Sequence, residues 1–468
     1  MPAVVAIDNG SQSTKVLVVD ETGRVRAQAR VGLRPYATPA PGRSVHPDDD
    51  VWDSIVRACR LAMQRFDGDP SEIVGVGLCT IRFCRALLRA DGTLAEPLLS
   101  WMDERVSRPH VPSPAVAHVT TSSGYVAHRL TGAFRDAAGN YQGVWPIDQT
   151  TWRWTADPDA AAATGMDRSL LSELVDPGAE LGRVSVEAST VTGLPAGVPV
   201  FATSNDKAVE ALGAGLSSPD DVLLSFGTYI AAMTVADAPG GGEQHWVNFG
   251  ARPGQYLAES TGIRRGMWTV SWLRDLLHPI APDDDIYAFD RSLGAEAESV
   301  PPGCDGVAAV LDWLAPGDEP NRRGAFVGFS GAQGRGHLYR AVLEAIAFTM
   351  ADHVEAMERE RGVAARGVIV TGGGAQSALL VQIVADVLGR PVRRALVDDA
   401  AGIGAAICAA VGAGVFPDWD AAASALSGTG DAVRPGAHAD AYRALRPWHR
   451  GIRSRVAELS GWMASARG

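Results

Sequence analysis

Short apolar runs punctuated by turn residues open the chain. Residues 4–7, 15–19 and 25–31 are strand-like runs, separated by Asn9-Gly10-Ser11 and by Asp20-Glu21-Thr22-Gly23. That pattern predicts an antiparallel meander of three strands. His46-Pro47-Asp48-Asp49-Asp50 then reads as a helix start, with proline in the first turn and acids at the positive dipole end. Val51, Ile55, Cys59, Ala62 and Phe66 follow at helical spacing, and a strand is predicted over residues 73–79. Residues 105–154 are turn-rich and show no dominant period. Past Pro219 the opening repeats in weaker form: two strand-like runs, 222–226 and 229–235, meet at Gly227-Thr228. Leu338, Val342, Ile346, Met350 and Val354 at steps of four predict a long helix. A strand over 368–370, the triplet Gly372-Gly373-Gly374 and a helix over 377–388 come next; Gly389 and Pro391 mark that helix's end. Two half-chains, each opening with a hairpin and continuing as α/β, divide near residues 212–219, as domains 1–211 and 212–468.

Bulk composition narrows the function classes. With 468 residues the chain exceeds one ordinary core. A formal net charge of −12 argues against nucleic acid or an anionic membrane as the main partner. The five cysteines have neither metal-ligand nor disulfide-framework spacing, and the N-terminus lacks the charged and apolar regions of a signal peptide. A cytoplasmic protein is expected. Only two of the 42 basic residues are lysine, Lys15 and Lys207. In so arginine-rich a chain, a lysine is expected where a compact ammonium does what a planar guanidinium cannot.

Four segments carry candidate chemistry. Asp8-Asn9-Gly10-Ser11-Gln12-Ser13-Thr14-Lys15 is a hairpin tip whose amides and hydroxyls can face a phosphate, with Asp8 placed to hold a Mg²⁺ shell and Lys15 to supply positive charge. An ordinary polar turn fits it as well. Ser225-Phe226-Gly227-Thr228 gains meaning as its counterpart. Gly372-Gly373-Gly374-Ala375-Gln376-Ser377 between strand and helix is either a tight turn or a backbone platform for a flat, anionic ligand. Asp206, in Ser204-Asn205-Asp206-Lys207, is either a helix cap or a carboxylate that takes a proton from an attacking alcohol.

In this order and spacing the four segments resemble the carbohydrate kinases named for their F-G-G-Y signature, which include xylulokinase, glycerol kinase and gluconate kinase. Trp101-Met102-Asp103-Glu104-Arg105 is similar to the family's W-x-D-x-R, and Arg340-Ala341-Val342-Leu343-Glu344 to its helix start. The resemblance covers essentially the whole chain. It implies two ribonuclease-H-like domains of the actin-like ATPase kind, with ATP and Mg²⁺ in the cleft between them. It implies Asp206 as catalytic base, with Lys15 beside the transferring group and Asp8 and Asp206 toward the metal. Gly10, Ser11, Ser13, Thr14, Gly227, Thr228, Gly373, Gly374 and Gln376 would contact nucleotide. Arg82, Trp101, Asp103, Asp206 and Lys207 would face the acceptor.

The acceptor side departs from the family. Thr80-Ile81-Arg82-Phe83-Cys84 keeps the arginine of glycerol kinases but puts Phe83 where they have glutamate, and lacks the glutamine and histidine of xylulokinases. A family segment after Arg105 is replaced by the short, proline-rich stretch 107–114. The pocket is therefore expected to be more open, completed by a second copy of the chain in a homodimer, or suited to a larger acceptor. Lys207 stands where relatives mostly carry glutamine or asparagine; it would lower the pKa of Asp206 or bind the acceptor. A ketose of the xylulose kind is the default acceptor and a sugar acid, paired with Arg82 and Lys207, the next. A non-sugar diol or signalling metabolite, a nucleotide sensor without catalysis, and an ATPase with a protein client are the alternatives.

Overall fold

The computed structural model describes residues 1–278, 286–316, 319–397 and 399–466. The opening meander forms as predicted from β1 (Ala3–Asn9), β2 (Ser13–Asp20) and β3 (Val25–Gly32). β1 is buried at every position, whereas β3 alternates between buried and exposed, as an edge strand does. The helix foreseen at Pro47 begins three residues later, as α1 (Asp50–Arg65). Asp48 takes a φ of 51°, and the Asp49 carboxylate accepts a 2.6 Å hydrogen bond from Tyr125 Oη. These residues anchor the loop instead of entering the first turn.

β4 (Ile73–Thr80) lies parallel to β1, and β5 (Glu180–Arg183) and β6 (Pro199–Ala202) complete a sheet of order β5-β6-β4-β1-β2-β3. The turn-rich stretch contains α2 (Ser122–Thr131), capped by Thr121 and stopped by Gly132 at φ 78°. Its apolar side is short and diluted by serine, histidine and glycine, which hid its period. A short helix, α3 (Asp206–Gly213), follows β6.

The second half repeats the plan. β7 (Asp221–Phe226), β8 (Ile230–Ala236), β9 (His245–Phe249) and β10 (Tyr256–Ser260) are antiparallel to their neighbours. β11 (Gly367–Thr371) and β12 (Val392–Arg394) add in parallel, giving β9-β10-β8-β7-β11-β12. Around this sheet lie α4 (Gly266–Leu277), α5 (Ile286–Glu298), the long α6 (Arg335–Arg361) and α7 (Ala378–Leu388). Gly389 ends α7 at φ 65°, as the sequence signals.

Each sheet has its own apolar core, and a third core joins them. It is built by α3 and by α8 (Ala400–Gly412), which lies against β1 and β4. Small residues allow this. A Cβ on Gly404 would stand 1.9 Å from the Val209 carbonyl oxygen, and one on Gly213 would stand 1.8 Å from that of Ala400. Among the described residues no helix is long and apolar enough to cross a membrane.

Candidate active site

Antiparallel register sets Asp8 of β1 directly opposite Lys15 of β2. Lys15 Nζ lies 3.4 Å from Asp8 Oδ2 and 3.2 Å from Asp399 Oδ1, where Asp399 caps α8 from the other half of the chain. Burial works against the charge of Lys15, but the two carboxylates outweigh it and raise its pKa. Asp8 is pushed up to about 7 by burial and by the charge of Asp399, with Lys15 only partly opposing and Asp206 adding to the rise. Asp399 Oδ2 is buried with no hydrogen-bond partner. This corner is short of positive charge, and it fits a divalent cation. Among the described residues no three His, Cys, Asp or Glu converge to hold a bare metal ion. A Mg²⁺ that keeps water and phosphate oxygens needs only one or two carboxylates, which Asp8 and Asp399 can supply.

Asp206 is the first residue of α3, and Asn205 is the cap, its Oδ1 accepting from Ala208 N at 3.1 Å. The cap role is therefore taken by the neighbour, and the Asp206 carboxylate is left a quarter exposed, with Arg82 Nε 3.6 Å from its Oδ1. Burial raises the Asp206 pKa; Arg82 and Lys207 pull against this, and Glu210 and Glu259 reinforce it. The expected lowering by Lys207 is real in direction but smaller than the cost of desolvation.

Both Nη groups of Arg82 are spent on Glu259 of β10, at 2.7 and 2.8 Å, in a bidentate pair that joins the two halves of the chain. The rings of Phe83 and Trp246 flank the guanidinium at 5.1 and 5.0 Å. Lys207 is likewise committed: its Nζ lies 2.7 Å from Glu210 Oε2 and 3.2 Å from Ser225 Oγ, which in turn donates to Glu210 Oε1. It ties α3 to the strand that leads into the Gly227-Thr228 loop.

A cleft of about 950 Å³ brings together Lys15, Gly227, Thr228, Gly373, Gly374 and Gln376, from three segments far apart in sequence. Met267 and Arg274 of α4 and Tyr339 of α6 close it. Gly372, at φ 84°, lets the glycine loop dock on β7: a Cβ there would meet the Phe226 carbonyl oxygen at 2.7 Å. The N-terminus of α4 is tied to the same place, Gly266 N donating to Thr228 O at 2.7 Å.

The other expected contact residues are not among those lining this cleft. Thr14 is buried and hydrogen-bonded to Asn9 and Ser54, and Ser13 Oγ accepts from Arg30. Gly10 and Ser11 form the hairpin tip, with Ser11 exposed. Asp103 is fully occupied by Arg105 at 2.8 Å and by the Ser44 and Arg105 amides. Burial by itself would raise its pKa, but these partners hold it down at about 2. Trp101 is 45% exposed. Sequence reasoning missed Asp399, Glu259 and Glu210. An acid inside the apolar strand β10 was the available signal for Glu259, and Asp-x-x-Gly at a helix start was the signal for Asp399.

Residues 3–111 match the N-terminal domain, and residues 222–413 the C-terminal domain, of the FGGY family of carbohydrate kinases. An uncharacterized sugar kinase, YgcE, of Escherichia coli (strain K12) is 44% identical over 422 residues, covering 89% of this chain and 86% of that one. The crystal structure of xylulose kinase from Rhodospirillum rubrum superposes with a TM-score of 0.82 at 26% identity, over 98% of this chain and 100% of the other. Plasmodium falciparum glycerol kinase with ADP shares the fold, with a TM-score of 0.81 at 15% identity, over 97% and 98% of the two chains.

Proposed function

The chain belongs to the FGGY family of carbohydrate kinases, and we propose that it transfers the γ-phosphoryl group of ATP to a hydroxyl of a neutral ketose or polyol of pentose size, with Asp206 as general base. The observation that carries this reading is the setting of Asp206. It is a partly exposed carboxylate of raised pKa, steered by Arg82 and standing near the Lys15–Asp8 corner.

The division of labour follows from the geometry. Ionised Asp206 accepts the acceptor's proton as its oxygen attacks, and a raised pKa improves its basicity. Lys15 places a positive charge beside the transferring group. Amides of the Gly227-Thr228 loop line the same cleft, and Gly373 and Gly374 leave room for the adenosine. Mg²⁺ held by Asp8 and Asp399 would neutralise phosphate charge when bound. The Arg82–Glu259 pair holds the two halves together over the acceptor, which keeps water from the phosphoryl group.

A sugar acid ranks below a neutral acceptor because neither candidate cation is free. Arg82 is neutralised by Glu259 and Lys207 by Glu210. A larger acceptor is the second reading, favoured by a cavity of about 750 Å³ beside Tyr229 and Trp246. An ATP-consumption screen against ketoses, alditols, aldonates and small diols, with Asp206→Asn as blank, tests all of these. Turnover of neutral ketoses or alditols is expected. Faster turnover of aldonates would overturn the preference, and equal ATP consumption without any acceptor would overturn the kinase assignment of Asp206.

A further inference from the structure

A pocket of about 390 Å³ lies in the N-terminal half, at the turn Glu104–Ser107 and the proline-rich stretch that follows it. It shares no lining residue with the nucleotide cleft. Its walls carry four arginines: Arg43, Arg85, Arg105 and Arg108. Two of them are neutralised. Arg105 pairs with Glu96 at 2.7 Å and Asp103 at 2.8 Å, and Arg108 with Glu104 at 3.0 Å.

Among the described residues neither of the other two is paired with a carboxylate, although Glu96 and Glu104 line the same pocket. Arg85 is only 3% exposed, yet its Nη groups donate only to the main-chain carbonyls of Arg105, Val106 and Arg108. Trp145 covers it at 5.5 Å, and its Nε is buried without an acceptor. Arg43 has no side-chain partner among the described residues. In the same wall, buried His110 has an unpartnered Nε2. A buried guanidinium without a counter-charge is costly, so its retention needs a reason. Burial and repulsion by Arg105 depress Arg85 to about 10, with Asp103 only partly opposing, and burial and repulsion by Arg85 lower His110, with Glu96 only partly opposing.

We propose that this pocket binds a small carboxylate or phosphate anion, seated against Arg43 and against the Arg85 and His110 side chains that share its wall. Asp206 lies outside it, so the occupant is a ligand distinct from the phosphoryl acceptor. It is placed to influence that acceptor, because the Arg85 amide is bonded to the Leu99 carbonyl, between the Arg82 loop and Trp101.

Calorimetric titration of the ADP-saturated full chain with inorganic phosphate, and separately with succinate, tests the assignment against sodium chloride at matched ionic strength. Phosphate held at the γ position beside ADP is distinguished by the variants, because Arg43 and His110 line this pocket and not the nucleotide cleft. Arg85→Gln loosens three carbonyl contacts and can fail to fold, so Arg43→Ala and His110→Gln carry the result. At least one anion is expected to bind the wild type and to bind each variant about fivefold more weakly; the tighter anion identifies the headgroup. Absence of binding by both anions, or equal affinity in wild type and variants, would overturn the proposal.

Discussion

Arg82 and Glu259 join the two halves of the chain through two parallel hydrogen bonds of 2.7 and 2.8 Å, while the Nε of the same guanidinium lies 3.6 Å from Asp206. One side chain therefore links the contact between the halves to the placement of the base. Glu259→Gln leaves Arg82 buried against a neutral amide, and breaking a buried pair in this way costs about 3 kcal/mol. Denaturant unfolding should show that loss, together with a higher KM for the acceptor and an unchanged KM for ATP. A variant as stable as the wild type would separate the pair from domain contact.

Lys15 sits between Asp8 and Asp399, and its compact ammonium reaches both at 3.4 and 3.2 Å. A guanidinium there cannot keep both distances. Lys15→Arg should lower kcat about 100-fold, on the scale of losing one oriented charge in phosphoryl transfer, with little change in acceptor KM. Steady-state kinetics decide it; full activity would show that the site does not require a compact ammonium.

Asp206 must be ionised to accept a proton, and burial raises its pKa. Activity should therefore be lost as pH falls, on a limb lying above the ordinary carboxylate range near pH 4. Lys207 pulls that pKa down, so Lys207→Met should move the limb to higher pH. A limb that stays in place or moves down would contradict the charge assignment.

Gly372 adopts φ 84° with its backbone against the Phe226 carbonyl. Gly372→Ala should displace the loop bearing Gly373 and Gly374. KM for ATP should rise about tenfold, on the scale of roughly 1 kcal/mol of left-handed strain plus the close contact, while acceptor KM stays constant. Equal changes in both would place the loop outside nucleotide binding.

Much of this site was legible because its logic is local. The meander of β1 to β3 follows from apolar runs and turn residues, and once the hairpin is drawn, Asp8 faces Lys15 by register. Asp206 needed more: the sequence reads it as either a cap or a base, and only the backbone shows that its neighbour Asn205 takes the cap. Asp399 and Glu259 were hidden because their partners, Lys15 and Arg82, lie in the other half of the chain. Asp103 shows a local partner that the resemblance does not display. Family resemblance aims it at the acceptor, whereas Arg105, two residues on, consumes both its oxygens. The start of α1 was misplaced because the acids after Pro47 are drawn to Tyr125, Arg129 and Arg34.

The most direct test of Asp206 as the base is single-turnover phosphorylation by Asp206→Asn, with ADP affinity measured in parallel. The amide keeps the shape and removes the proton acceptor. Turnover should fall about 1,000-fold with ADP affinity unchanged. Near-normal turnover in that variant would contradict the account.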